Sequence, residues 1–90
     1  MNTRKPAEVF PPGDYIREEL EARGWTQADL AKIIGRTQPA INEMIKGKRG
    51  ITPESALALS AAFGTSPEFW MNLEMNYRLD LARRKRKRAA

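Results

Sequence analysis

TQADLAKIIGRTQPAINEMIKG, residues 26–47, reads as two short helices joined by a tight turn. Thr26 offers a hydroxyl to a free backbone N–H at the start of the first, and Asp29, three positions on, completes a capping box. Ala28, Leu30, Ala31, Ile33 and Ile34 supply its apolar face, and Gly35 stops it. Thr37 caps the second helix, with Pro39 in the first turn, where a missing N–H costs nothing. Ile41, Met44 and Ile45 follow at i, i+3, i+4 as a buried stripe, and Gly47 terminates the helix. The connection Gly35-Arg36-Thr37 has the length and the glycine that a DNA-binding helix-turn-helix needs for its second helix to protrude.

With that stripe inward, the second helix of the pair turns Gln38, Pro39, Asn42, Glu43 and Lys46 outward. Gln and Asn can each make two hydrogen bonds to adenine, and Glu can accept from the cytosine amino group. Gln38 stands at the helix N-terminus, the end that meets base edges in this docking mode. Gln38, Pro39, Asn42 and Glu43 are therefore the expected base-facing set. The expected phosphate contacts flank them. Thr26 and Gln27 lie at a helix N-terminus with free N–H groups. Arg36 and Thr37 come just before the protruding helix, and Lys46, Lys48 and Arg49 just after it. Contacts of this second kind position a protein on DNA and carry little sequence information. The competing reading is a plain helical bundle whose polar face is merely solvated. An uncharged Gln/Asn face beside a local basic cluster favours DNA.

Outward from this motif the chain stays helical. A first helix runs from Pro12 or Gly13 to Arg23 with Tyr15, Ile16 and Leu20 inward, ending at Gly24. A fourth opens at Thr52-Pro53 and carries Ala56, Leu57, Leu59, Ala61 and Phe63 to Gly64. A fifth opens at Ser66-Pro67 and carries Trp70, Leu73, Tyr77 and Leu81. The expectation is an all-α, five-helix domain over residues 12–82, with an irregular N-terminal arm at 1–11 and an irregular basic tail at 83–90. Phe69 and Trp70 are expected in the core. Leu73, Tyr77 and Leu81 have less chain left to pack against and are the candidates for a two-fold dimer contact.

Bulk composition narrows the function classes. Ninety residues make one small domain, which leaves little room for an enclosed active site. With neither Cys nor His, there are no disulfides, no usual zinc ligands and no histidine general base. Glu18, Glu19 and Glu21 fall on an open helix face, so catalysis is not expected and no cofactor or metal is. No apolar run approaches a membrane span and the N-terminus lacks a signal pattern, so a cytoplasmic protein is expected.

The net charge of +5 misleads if taken whole. Six consecutive cations, Arg83 to Arg88, supply it, and residues 1–82 hold ten basic against eleven acidic side chains. The tail can be a solvated segment, an added phosphate contact or a seat for an acidic partner.

The run Trp25-Thr26-Gln27-Ala28-Asp29-Leu30-Ala31 through Gly35, then Ile41-Asn42-Glu43, resembles the phage-repressor (Xre/Cro) helix-turn-helix family. In that family the glutamine opening the second helix touches phosphate and braces the glutamine opening the third; Gln27 and Gln38 occupy those positions. Pro39 departs from the small polar residue frequent at its site. Beyond the motif, the segments from Pro12 to Leu20, Gly47 to Glu54 and Phe63 to Leu73 resemble the HigA antitoxins, over about residues 11–80. Gly64-Thr65-Ser66-Pro67-Glu68-Phe69-Trp70 is the most specific of these. The resemblance implies a homodimer that represses its own promoter at a palindromic operator and binds HigB, a toxin that cleaves mRNA on the ribosome. A free-standing regulator without a toxin, or a protein-interaction module on the same fold, is the alternative.

Overall fold

A computed structural model describes residues 9–89 of the chain. The expected arm falls mostly on residues 1–8, outside the described residues. Five helices account for the rest: α1 Pro12–Arg23, α2 Gln27–Ile34, α3 Gln38–Ile45, α4 Pro53–Phe63 and α5 Pro67–Ala89. No strand occurs among the described residues.

Helix starts follow the capping chemistry. Thr26 Oγ1 accepts from Asp29 N (3.0 Å) while Asp29 Oδ2 accepts from Thr26 N (2.8 Å). Thr37, Thr52 and Ser66 each accept from the backbone N–H three residues on. Such a cap contributes about 1 kcal/mol. Gly35 closes α2 at φ 69°, a left-handed conformation that a Cβ disfavours. α3 stops at Ile45, with Lys46 as its cap and Gly47 in the loop beyond.

α2 packs on α3 and α4 on α5, while α1 touches both α3 and α5 and α2 reaches α4. The shared core holds Ile16, Leu20, Leu30, Ile41, Met44, Ile45, Ile51, Leu59, Phe63 and Trp70. Trp70 is fully buried, and its indole N–H donates to Thr65 Oγ1 at 2.7 Å, so burying its one polar atom carries little penalty. Phe69 lies at the core's edge, edge-on to Tyr15 and Trp70. Gly13 admits α1 against the end of α3: a Cβ there would run into the backbone carbonyl of Ile45.

Phe69, expected in the core, is 37% exposed because it sits at the edge of the packed interior, and three further expectations need correction. In α2 only Leu30 and Ala31 are buried; Ala28 and Ile33 face solvent, because an eight-residue helix meets its neighbours along one narrow strip. In α4, Leu57 and Ala61 are likewise exposed, and Ser55 takes an inward position. The basic run is not an irregular tail: α5 carries it as helix to Ala89. Lys and Arg are good helix formers, cations suit a helix C-terminus, and Arg84 pairs with Asp80 one turn back at 2.9 Å.

Candidate nucleic-acid interface

α3 divides evenly. Ala40, Ile41, Met44 and Ile45 are buried, whereas Gln38 and Pro39 are exposed and Asn42 and Glu43 half-buried. The inward four sit in the core, so packing sets where Gln38, Pro39 and Asn42 face, while Glu43 is also paired with Arg49. Gln27, from the start of α2, joins Gln38, Pro39 and Asn42 around one open concavity. The turn at Gly35 thus brings the two glutamines singled out in the sequence to the same surface.

The flanking hydroxyls are partly engaged. Thr26 and Thr37 each use an acceptor lone pair of the side chain as a cap, and each keeps a hydroxyl hydrogen with which to donate to a phosphate oxygen. The Asp29 N–H is consumed by the cap, which leaves those of Gln27 and Ala28 as the open donors at the start of α2. The backbone N–H of Arg36 donates to Ala31 O (2.9 Å), and its side chain is half-buried.

The loop after α3 is built, not slack. Gly47 N donates to Met44 O (3.2 Å), and Lys48 N and Arg49 N both donate to Glu43 O (2.9 and 3.2 Å). From the other side, Glu74 of α5 accepts from Ile51 N at 3.1 Å and pairs with Arg78. Gly50 lies so close to Glu74 that a Cβ would stand 2.9 Å from its carboxylate. Lys46 and Lys48 are exposed and have no ion-pair partner among the described residues. Arg49 does have one, Glu43. Neither that pair nor the Glu74 tether is visible in the sequence, because each joins residues that only the loop's folded path brings together.

The dimer candidates separate. Leu73 packs against the core cluster. Tyr77 is half-buried, with its hydroxyl beside Gly47 of the basic loop. Leu81 is 38% exposed, and α5 also leaves Met75 and Leu79 open, two residues outside the stripe that the sequence suggests.

A second cluster missed in the sequence braces the scaffold behind α2. The Arg23 guanidinium lies 5.4 Å from the Trp25 ring centroid and 5.1 Å from that of Phe63. It donates to Phe63 O at 2.9 Å and pairs with Glu19. This ties the end of α1 to the end of α4.

Comparison with known proteins fits this geometry. A family model described as helix-turn-helix matches residues 16–70. Virulence-associated protein A' of Dichelobacter nodosus is 42% identical over 69 residues, 76% of this chain and 60% of that protein. The chain thus spans less than two thirds of that relative's length. An uncharacterized HTH-type transcriptional regulator of Haemophilus influenzae is 38% identical over 82 residues, 90% of this chain and 72% of its own. Among solved structures, the Pseudomonas aeruginosa antitoxin HigA with the higBA promoter superposes with a TM-score of 0.84 at 31% identity, covering 91% of this chain and 90% of that one. The Haemophilus relative is described as a transcriptional regulator and the Pseudomonas one as an antitoxin.

Proposed function

The chain belongs to the Xre-type helix-turn-helix family and is similar to HigA antitoxins, and from that premise we propose that it is an antitoxin that represses its own operon. In this reading Gln38 and Asn42 face bases, with Pro39 beside them against the groove wall. Thr26, Gln27, Arg36, Thr37, Lys46, Lys48 and Arg49 contact the phosphate backbone. The observation that carries it is the even division of α3: four core residues hold four outward residues beside a rigid basic loop. The Pseudomonas relative, whose structure includes promoter DNA, supports DNA binding by a protein of this fold.

The protein acts as a homodimer on a palindromic operator, whose half-sites lie about one helical turn apart. The two-fold contact uses the open face of α5 that carries Met75 and Leu79, one turn apart, more than Leu81, which lies on another side of the helix, or Leu73, which packs on the core. The protein partner is a HigB-like toxin that cleaves mRNA. A free-standing regulator is favoured instead by the Haemophilus relative, which is described only as a transcriptional regulator. No helix among the described residues is long and apolar enough to cross a membrane.

Gln38→Ala tests the recognition surface. It removes one two-bond base contact worth about 1–3 kcal/mol from each half-site, so the dimer's affinity for the DNA upstream of the gene falls at least about 30-fold. Fluorescence anisotropy at fixed salt measures it, and circular dichroism checks that the fold is kept. Unchanged affinity would move base recognition off α3. Co-expression with the product of the neighbouring reading frame, followed by pull-down, separates antitoxin from free-standing regulator.

A further inference from the structure

The sequence places Glu43 on the base-facing side, yet its carboxylate is already occupied. Oε1 accepts from Arg49 Nε at 3.0 Å and from Arg49 Nη2 at 2.7 Å. The main-chain carbonyl of the same residue accepts from Lys48 N and Arg49 N. One residue of α3 therefore takes four donors from two consecutive loop residues. The two side chains are 45% and 49% exposed, so this is a surface pair on the DNA-facing side of the loop and not a piece of the core.

A guanidinium has five N–H donors. Glu43 uses two of them, and three are left for a second anion. A free surface arginine must freeze a long side chain to meet a phosphate, which costs conformational entropy. Arg49 is held beforehand by a charge-assisted pair of bonds. The same carboxylate repels phosphates that approach out of register, which penalises non-specific docking. Both effects favour one placement of the DNA over the others.

We propose that Glu43 is a positioning residue for DNA binding: it holds Arg49 in the orientation that meets a backbone phosphate and does not itself read a base. The proposal rests on the reading of residues 26–49 as the DNA-contacting surface.

The test is a double-mutant cycle on the full chain with Glu43→Gln, Arg49→Gln and the combination. Fluorescence anisotropy is read on two duplexes of equal length, one carrying the DNA upstream of the gene and one of scrambled sequence. Arg49→Gln is expected to weaken both and to reduce the salt slope of the dimer by about 1.8, the share of one phosphate per subunit. Glu43→Gln is expected to leave scrambled-duplex affinity equal or tighter and to weaken the upstream duplex, so their ratio shrinks several-fold. In the Arg49→Gln background it should change that ratio no further, and Glu43→Asp should restore part of it. An equal loss of ratio with and without Arg49 would make Glu43 a base reader and overturn the proposal. So would a lowered melting temperature with both affinities unchanged, which marks a loop brace only. If the parent chain does not distinguish the two duplexes, the DNA-binding reading falls and takes this proposal with it. If the parent distinguishes them and Gln38→Ala abolishes the distinction while the cycle is additive, only the role of Glu43 fails.

Discussion

α3 and α5 put one fold to opposite uses. α3 is eight residues long and has no stability of its own; isolated helices shorter than about 12–15 residues are marginal in water. It survives because half its surface is core, and that dependence is what aims its other half. α5 has 23 residues, and its fully buried anchor, Trp70, stands near its start. From residue 82 to residue 88 every described position is exposed. The short helix is placed by its surroundings, whereas the long one extends past them. Precision therefore belongs to the helix with the fewest residues outside the core, and reach to the helix with the most.

Removing the anchor should break this contrast most severely. Trp70→Ala leaves a large cavity and an unpaired Thr65 hydroxyl, and is expected to cost about 3–5 kcal/mol in urea unfolding. A loss below about 1 kcal/mol would mean that α5 is held elsewhere. Next in size is the pair Leu73→Glu and Leu79→Glu, on different sides of the same helix, about 120° apart. The first puts a charge against the core and should lower the melting temperature by several degrees. The second should leave the melting temperature of the monomer alone and shift the light-scattering mass from dimer toward monomer. Equal effects from the two would erase the boundary between the inner and outer faces of α5. Smallest in stability is the replacement of all six cations of Arg83–Arg88 by Gln. Folding free energy should stay within about 0.5 kcal/mol. If the end of α5 reaches phosphates, the salt slope of DNA binding falls by about 0.9 for each phosphate no longer neutralised. An unchanged slope assigns that segment to solvent.

These differences also explain what the sequence discloses. Helix starts are legible because Thr26, Thr37, Thr52 and Ser66 cap through bonds to residues three positions away, a local relation. The outward face of α3 is legible because burial of Ile41, Met44 and Ile45 determines it by periodicity. Exposure of Ile33 and Leu57 is not, since it depends on which strip of each helix meets a neighbour, and apolar identity alone does not say. The Glu43–Arg49 pair and the Glu74 tether are illegible for the same reason: their partners meet through the path of the loop. The end of α5 is helical against expectation because helix propensity and the Asp80–Arg84 pair outweigh the repulsion among its cations.

The even division of α3 has a consequence for how such a protein changes over generations. In the proposed reading, positions 38 and 42 answer to the ligand and not to the core, so mutation can sample them while stability stays within about 0.5 kcal/mol. A duplicated copy can thus drift toward a new operator without first acquiring compensating mutations in its interior. Position 43 is not free in that way, because its partner lies in the loop. In that reading, selection on operator choice acts at these two sites, while at position 43 only a paired change keeps the loop in place.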